Sequence, residues 1–463
     1  MSWIDKLHFA YLENRDTPHS LWGIQGLNPW NFMMLNVLLS WWVHRRREGL
    51  VWDMPRYMVV LSACYLFVVV WSYCRMAVDY QTLDVFNAPD ADVHINYTFA
   101  WVTSEFLINC VKWLLPAILL YDACRTRERT LVALALVLVL YFIIAIQVIQ
   151  CMPMSAATAS AAELSRMAAR DLDGAVGYFR TELSMMLAGA SWAILSTVVL
   201  VRKRRDKVLV LGAAAVVALA QALTGGRAGY VTWGLTGLIL CLLRWRWLLP
   251  GIPAVILAVC LFLPSVRDRM LQGFVGTNGE FQQETDDFVI TSGRTLAWSY
   301  VIPKIEESPI IGYGRQAMVR EGIYQHILAD HEGETFPHPH NAYLEVLLDN
   351  GIVGFMLIMP IYVVALVLSL RLLKDRSDPL FGAIGGVAAA LILGLMFASM
   401  GSQSFYAKES AVGMWAAIGL MLRVYVERAR LFATGEPLFG EAESDSTELG
   451  TANQPVMDLP TPA

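Results

Sequence analysis

Long apolar runs, separated by short polar and often basic segments, make up most of this 463-residue chain. Most of these runs are close to the roughly 20 residues that a helix needs to cross a bilayer. The pattern predicts about eleven membrane-spanning helices, at residues 28–43, 57–74, 99–121, 130–149, 183–201, 208–223, 229–243, 248–263, 346–370, 380–400 and 410–426. A twelfth helix within residues 1–28 is disfavoured, because charged residues such as Asp5, Lys6 and Glu13 interrupt it.

The positions of the basic residues predict which side of the membrane each connection faces. More than half of the 35 Lys and Arg residues lie in alternate connections, namely 44–56, 122–129, 202–207, 244–247, 371–379 and the tail after 426. Basic connections favour the cytoplasmic side. We therefore expect the amino terminus and residues 264–345 outside, and the carboxyl terminus inside.

The composition favours a membrane protein over a set of soluble domains. Hydrophobic residues make up 56% of the chain and charged residues 16%, whereas an ordinary globular chain carries about 25% charged residues. Among the seven cysteines, Cys74 and Cys151 lie at outer helix ends, but nothing in the pattern favours a disulfide. The predicted fold class is an all-α polytopic membrane protein with one large periplasmic loop.

Four regions follow from this pattern. They are the first eight helices (1–263), the large outer loop (264–345), the last three helices (346–429) and a disordered inner tail (430–463). Residues 293–302 have apolar positions at helical spacing, with Ser292 as the expected N-cap. The outer segment 150–182 is expected to contain an amphipathic helix.

The segment from His338 to Asn341 carries the strongest candidate for chemistry. It closes the outer loop before a hydrophobic helix, its prolines prevent an earlier helix start, and Asn341 can cap the helix that follows. A neutral histidine there can accept a proton from a hydroxyl. The alternative is a pair of solvated loop histidines. Farther along, Gly351 and Gly354 form a small-residue face that would let another helix approach closely.

A glycine-rich turn, Thr224 to Gly229, joins two short helices on the predicted outer side. Its glycines are expected to expose backbone N–H groups at a helix N-terminus, where anions bind. Arg227 can bind a phosphate in a bidentate manner. The alternative is an arginine that extends to lipid phosphates at the membrane interface. Gly225, Gly226 and Arg227 are therefore candidate anion ligands.

Other polar residues give weaker signals. Arg294, at a predicted helix start, and Arg315 are further bases of the outer loop, and on spacing alone an exposed surface arginine explains Arg294. Glu105, Asn109 and Lys112 share one face of the third span, which indicates either a functional site or a mutually satisfied structural pair. The chain has no metal-ligand pattern such as His-Glu-x-x-His, so we expect metal-independent chemistry.

Three of these patterns together resemble the O-antigen ligase and polymerase superfamily of bacterial inner-membrane proteins. The first is His-Asn, nine residues, Gly, two residues, Gly, found here at His340, Asn341, Gly351 and Gly354. The second is the turn that contains Arg227. The third is Gly-Arg, a Trp, then Pro-x-x-Gly-x-Gly, found here at Gly293, Arg294, Trp298, Pro309, Gly312 and Gly314. The resemblance covers roughly residues 205–400, and these enzymes often have twelve spans.

The resemblance implies transfer of a glycan from an undecaprenyl-diphosphate carrier to an acceptor hydroxyl at the periplasmic face, without a cofactor. Arg227 and Arg294 would stabilise charge on the diphosphate, and His340 would deprotonate the acceptor, which inverts the anomeric centre. The further substrate-binding residues would be His338, Asn341, Gly225, Gly226 and Arg315. The expected partners are the lipid-linked donor, an acceptor and membrane lipids, with no nucleic acid.

Several functions stay open at this point. The acceptor could be lipid A–core, another lipid-linked repeat or a protein hydroxyl, which correspond to a ligase, a polymerase and a protein O-oligosaccharyltransferase. A transporter or flippase of lipid-linked glycan could use Glu105 and Lys112 as a relay, but it predicts two halves with matching hydropathy, which the chain does not show. A non-enzymatic scaffold would leave the Gly-Arg turn unexplained.

Overall fold

The computed structural model describes residues 29–86, 97–272, 274, 290–331, 336–401, 403–435 and 437–440. Within these residues the regular elements are helices, and no strand is formed. The main helices are α1 (Pro29–Arg47), α2 (Arg56–Met76), α3 (Phe99–Ala123), α4 (Arg127–Cys151), α5 (Ala161–Val176), α6 (Arg180–Leu200), α7 (Arg204–Leu223), α8 (Arg227–Leu243), α9 (Arg246–Phe262), α10 (Pro264–Leu271), α11 (Arg294–Glu307), α12 (Ala317–Arg320), α13 (Ile323–Asp330), α14 (Ala342–Lys374), α15 (Pro379–Ala398) and α16 (Glu409–Thr434). Residues 1–28 and most of the predicted tail lie outside the described residues.

Eight helices of the described part are long and apolar enough to cross a membrane: α2, α3, α4, α6, α7, α14, α15 and α16. Each coincides with a predicted span. The first predicted span falls in α1, which is not among the eight. Its apolar run is interrupted by Asn31, Asn36 and Ser40, and its last turn contains His44 and three arginines.

The two remaining predicted spans form a short helix and a bent one. α8 is apolar but has only 17 residues. α9 and α10 meet at an angle of 105° and would make a ninth span if counted as one. The bend falls at Leu263, because the proline that follows disfavours helical backbone in the residue before it. The total of eleven spans and the large outer loop stay predictions.

The centre of the bundle is formed by α15, packed against α6, α14 and α16. A Cβ atom on Gly394 of α15 would lie 3.2 Å from the Cα of Gly189 in α6. Glycines at such a crossing let two backbones approach closely, which is how helices associate where apolar burial alone gives no preference. The amphipathic helix expected in 150–182 is confirmed as α5, which buries Leu164, Ala168, Leu172 and Val176.

One end of the bundle, called the basic end, contains the connections rich in Lys and Arg. Its carboxylates hold these bases in place. Asp122 pairs with Arg45 and with Arg125, at 2.7 Å for the latter. The fully buried Arg423 pairs with Asp53 at 2.6 Å. The arginines of this end therefore serve to join helices.

The other end, called the site end, contains the first turns of α6, α8 and α14 and the segment 399–408 that follows α15. This segment is attached to α14 at several points. Ala342 N–H donates to the carbonyl of Ser399 at 2.7 Å, Ser404 Oγ donates to Glu345 at 2.8 Å, and Tyr406 Oη donates to Asp349 at 3.0 Å. The segment therefore has a fixed place beside the start of α14.

α14 is broken at Gly351, where the backbone has φ of 59°. The carbonyls freed by the break are used by the 309–314 loop: Tyr313 N–H donates to Leu348 and Gly314 N–H donates to Asp349. A Cβ atom on Gly351 would lie 2.3 Å from the carbonyl carbon of Ile310. The predicted approach of another helix is therefore wrong at Gly351, where the close neighbour is a loop. It is confirmed at Gly354, where an added Cβ atom would lie 3.5 Å from Val68 of α2.

Candidate functional site

A cavity of about 310 Å³ lies at the site end, and four arginines line it. Polar and small groups, together with a few apolar side chains, complete the wall. The lining residues are Arg180, Thr181, Ser184, Gly225, Gly226, Arg227, Ala228, Gly229, Val231, Arg269, Met270, Phe274, Ile290, Ser292, Arg294, Ala398 and Gln403. Among these described residues none is acidic, so the cavity is strongly positive.

The arginines come from four separate helices. Arg180, Arg227 and Arg294 are the first residues of α6, α8 and α11, and Arg269 belongs to α10. Helix N-termini carry partial positive charge and free backbone N–H groups. Three helix starts therefore add to the positive potential of the side chains, as in sites that bind anions.

Hydrogen bonds position these guanidinium groups. Arg227 donates to Ser292 Oγ at 2.6 Å and to the Gln272 carbonyl at 3.3 Å. Arg269 donates to the Gly225 carbonyl at 3.3 Å. The positive charges of Arg269, Arg294 and Arg180 all act on Arg227. The four side chains thus form one cluster.

The glycine turn does not present its N–H groups as expected. Gly225 N–H donates to the Ala222 carbonyl and Gly226 N–H to Thr224 Oγ1, both at 3.4 Å. These glycines instead permit close packing, since a Cβ atom on Gly226 would lie 2.5 Å from Ser184 Oγ. Both residues line the cavity through their backbone.

Arg294 is positioned by two left-handed residues. Ser292 has φ of 56° and Gly293 has φ of 75°. Gly293 is the N-cap of α11, without a side-chain cap, so the expected capping by Ser292 was wrong. The Ser292 hydroxyl instead accepts from Arg227. Burial lowers the pKa of Arg294 from its ordinary value, while the guanidinium stays charged at any physiological pH.

The two histidines lie next to Arg294 but are not part of the cavity wall. Their ring centroids are 4.0 Å apart. His340 has φ of 49°, and its backbone N–H donates to His338 Nδ1 at 3.2 Å. Trp298 of α11 donates to the carbonyl of Pro339 at 2.9 Å. This bond ties the histidine segment to the helix that begins at Arg294.

Both histidines are neutral at pH 7. Burial, together with the nearby charges of Arg294 and Lys408, lowers the pKa of His340 to about 4. Burial and the same charges, with that of His340, lower the pKa of His338 well below its ordinary value. Because Nδ1 of His338 accepts a bond, this ring carries its proton on Nε2. Each neutral imidazole has a nitrogen that can accept a proton.

Two predicted substrate ligands are used within the fold. The Asn341 side-chain oxygen caps α14, accepting from Tyr343 N–H at 3.0 Å and from Leu344 N–H at 3.3 Å. Arg315 is 4% exposed and does not line the cavity. Its guanidinium lies 3.6 Å from the centre of the Tyr406 ring. Arg315 thus contacts the 399–408 segment, through Tyr406, instead of the cavity.

Four residues of this region were missed in the sequence. Arg180, Arg269 and Gln403 line the cavity. The positive charge of Lys408 lowers the pKa of both histidines. Gln403 donates to the Thr181 carbonyl at 3.3 Å and so joins the 399–408 segment to α6. Lys408 had a usable signal, because it is the single base of a short predicted outer connection. Arg180 and Arg269 had none.

Residues 212–359 match the family model described as O-antigen ligase. The matched region contains Arg227, Arg269, Arg294 and both histidines. This region, about a third of the chain, is similar to the O-antigen ligase superfamily. Similar curated proteins include ExoQ, an exopolysaccharide production protein of Rhizobium meliloti, 31% identical over 110 residues, and the O-antigen ligase of Salmonella typhimurium, 26% identical over 142 residues.

The superfamily match is partial. The alignments cover 22% of this chain and 25% of ExoQ, and 30% of this chain and 34% of the Salmonella ligase. The similarity is therefore confined to a part of each protein. With eight apolar helices in its described residues, the chain is a multi-pass bacterial membrane protein that is similar to this superfamily over residues 212–359.

Proposed function

We propose that the protein transfers a glycan from an undecaprenyl-diphosphate carrier to an acceptor hydroxyl, as an O-antigen ligase or a polysaccharide polymerase. The observation that carries this proposal is the cluster of four arginines around one cavity, next to a pair of neutral histidines. The positive cluster can stabilise a highly charged anionic leaving group, and a neutral histidine can accept the proton of an acceptor hydroxyl.

The diphosphate of the donor binds in the arginine cavity. Arg227 and Arg294 neutralise most of the negative charge of the diphosphate. Arg180 and Arg269 complete the wall of the cavity. Charge-assisted bonds from guanidinium groups suit phosphate oxygens in number and geometry. As the anomeric bond breaks, negative charge on the diphosphate increases, and preorganised cations stabilise it most at that stage.

His340 acts as the base. An acceptor hydroxyl transfers its proton to the neutral imidazole while its oxygen forms a bond to the anomeric carbon. The bond from that carbon to the diphosphate oxygen breaks, and its electron pair leaves with the diphosphate. A single displacement of this kind inverts the anomeric centre. His340 then releases its proton to water, and His338 helps to hold the acceptor.

The site end faces the periplasm and the basic end the cytoplasm of the inner membrane. This orientation follows from the excess of Lys and Arg at the basic end. In this arrangement residues 264–345 form the catalytic loop between the helices of 1–263 and those of 346–429. The Asn341 and Arg315 side chains support the site, and neither contacts the donor.

The substitution His340→Ala tests this function. We expect purified full-length protein in lipid nanodiscs to transfer an undecaprenyl-diphosphate-linked glycan to lipid A–core or to a second lipid-linked repeat. The variant should be about 10²- to 10⁴-fold slower, the usual contribution of a general base. His331→Ala, an exposed histidine of the same loop, is the matched control.

Two outcomes would count against the proposal. Transfer by His340→Ala within a few-fold of the wild type would remove the histidine mechanism. Absence of transfer by the wild type to either acceptor would remove the enzyme class. A deletion strain then separates the two activities: loss of a ligase leaves bare core with polymer on the carrier lipid, whereas loss of a polymerase leaves core with a single repeat.

A further inference from the structure

Lys408 is a partly buried lysine at the site end whose ammonium group has no ion pair or hydrogen bond within the described part of the chain. It lies on the 399–408 segment, which Ser399 and Ser404 attach to α14 and Gln403 attaches to α6. Its charge acts on both His338 and His340. A cation in a partly buried place without a counter-charge is costly, so it is suited to a ligand that supplies one.

A polar strip of α3 lies beside this lysine. Asn109 Nδ2 donates to Glu105 at 2.8 Å, and Lys112 interacts with both Glu105 and Glu409. Cys110 is close enough to interact with both Glu105 and Lys408. The strip begins in a π-helical turn, Ser104–Ile108, a local distortion that is frequent at functional sites. Hydroxyl-rich molecules can hydrogen-bond to such side chains.

The donor cavity does not include this region. The residues that line the arginine cavity do not include Lys408, the α3 strip or the two histidines. His340 is therefore close to two cations, Arg294, which lines the cavity, and Lys408, which does not. A transfer reaction needs the acceptor to reach the base from the side that the donor leaves open.

We propose that Lys408 binds a phosphate-type anion carried by the acceptor and so positions the acceptor hydroxyl at His340. This inference rests on the proposed function and deepens it, because it makes the acceptor an anionic glycolipid. The anion is either a phosphate ester on a glycolipid core or the diphosphate of a lipid-linked repeat. A lysine ammonium binds either one as a point charge.

The test compares Lys408→Met with the wild type in full-length protein. Binding is measured without donor to three probes: phosphorylated lipid A–core, the same glycolipid after phosphatase treatment, and an undecaprenyl-diphosphate-linked repeat. The wild type should prefer one of the phosphorylated probes. We expect Lys408→Met to bind that probe about tenfold more weakly than the wild type does, a loss of about 1.4 kcal/mol in binding free energy. Lys408→Arg should retain binding, and Lys207→Met, at the exposed basic end, should leave it unchanged.

The transfer assay adds a second readout. Lys408→Met should raise the KM for the anionic acceptor and leave the KM for the donor unchanged. Equal binding of all three probes by variant and wild type would overturn the inference. The inference would also be overturned if Lys408→Met bound every probe normally and differed from the wild type only in the acid limb of its pH–rate profile, shifted towards pH 6.5. Because binding is measured without turnover, a wild type that binds but transfers nothing contradicts the proposed function alone.

Discussion

At the scale of single residues, the proposed mechanism depends on the neutrality of His340. A solvated histidine has a pKa of about 6.5 and is half protonated there, but burial and the charges of Arg294 and Lys408 lower the pKa of His340 to about 4. Since protonation abolishes its ability to act as a base, the neutral fraction stays near unity above pH 5 and falls below pH 4. We expect kcat/KM to stay level between about pH 5 and 7 and to fall on the acid side only near pH 4. A pH profile with an acid limb near 6.5 would contradict this environment for His340.

The acid limb of kcat should lie at a higher pH than that of kcat/KM. The first reports the bound complex and the second the free protein. A bound diphosphate offsets the charge of Arg294, which raises the pKa of His340 and makes it a stronger base once the donor is present. Measuring kcat and kcat/KM over the same pH series tests this difference. If the two acid limbs coincide, the charge of the bound donor does not change the pKa of His340.

At the scale of elements, the break in α14 joins two motifs that are distant in the sequence. We expect Gly351→Ala to destabilise the fold by about 2–4 kcal/mol, from backbone strain at positive φ and from overpacking. The added Cβ atom would lie 2.3 Å from the backbone of Ile310. A thermal unfolding series in detergent measures the effect.

Gly234→Ala is the matched control for that series. Gly234 is a helical glycine of α8 with no atom within 4 Å of an added Cβ. An alanine there should be neutral or slightly stabilising. If both variants unfold at the same temperature, the contact between Gly351 and the 309–314 loop does not have the closeness described above.

The sequence predicted the helices better than their contacts. Hydropathy is a local property, so eight spans could be recognised from their own residues. The need for Gly351 and Gly312 was visible as a motif, but their mutual contact depends on how the chain returns some 40 residues later. Ser292 was mistaken for a cap because its left-handed backbone, which turns its hydroxyl towards Arg227, has no signature in the sequence.

At the scale of the whole molecule, four helices bring their arginines together at one cavity. Arg180 and Arg269 could not be recognised beforehand, because each is an ordinary base near a helix end until the fold places it beside Arg227. We expect Arg180→Met and Arg269→Met each to lower kcat/KM for the donor by about 10- to 100-fold, as for the loss of one charge-assisted contact in a transition state. Steady-state kinetics with varied donor measures this loss.

Arg202→Met provides the comparison for these two variants. Arg202 is exposed at the basic end and does not line the cavity. Its removal should leave donor kinetics within about twofold, as for surface substitutions in general. If Arg180→Met and Arg269→Met both behave like Arg202→Met, the donor diphosphate does not occupy the cavity.

The contrast between the two ends of the bundle has a thermodynamic consequence. At the basic end arginines face carboxylates, whereas at the site end Arg180, Arg269 and Arg294 all repel Arg227. This repulsion is present in the empty protein and is relieved when an anion enters. Inorganic diphosphate should therefore raise the unfolding temperature by linkage, more strongly at low ionic strength. The empty protein should therefore be the less stable form, and an anion in the cavity should stabilise the contacts among the four helices that carry these arginines.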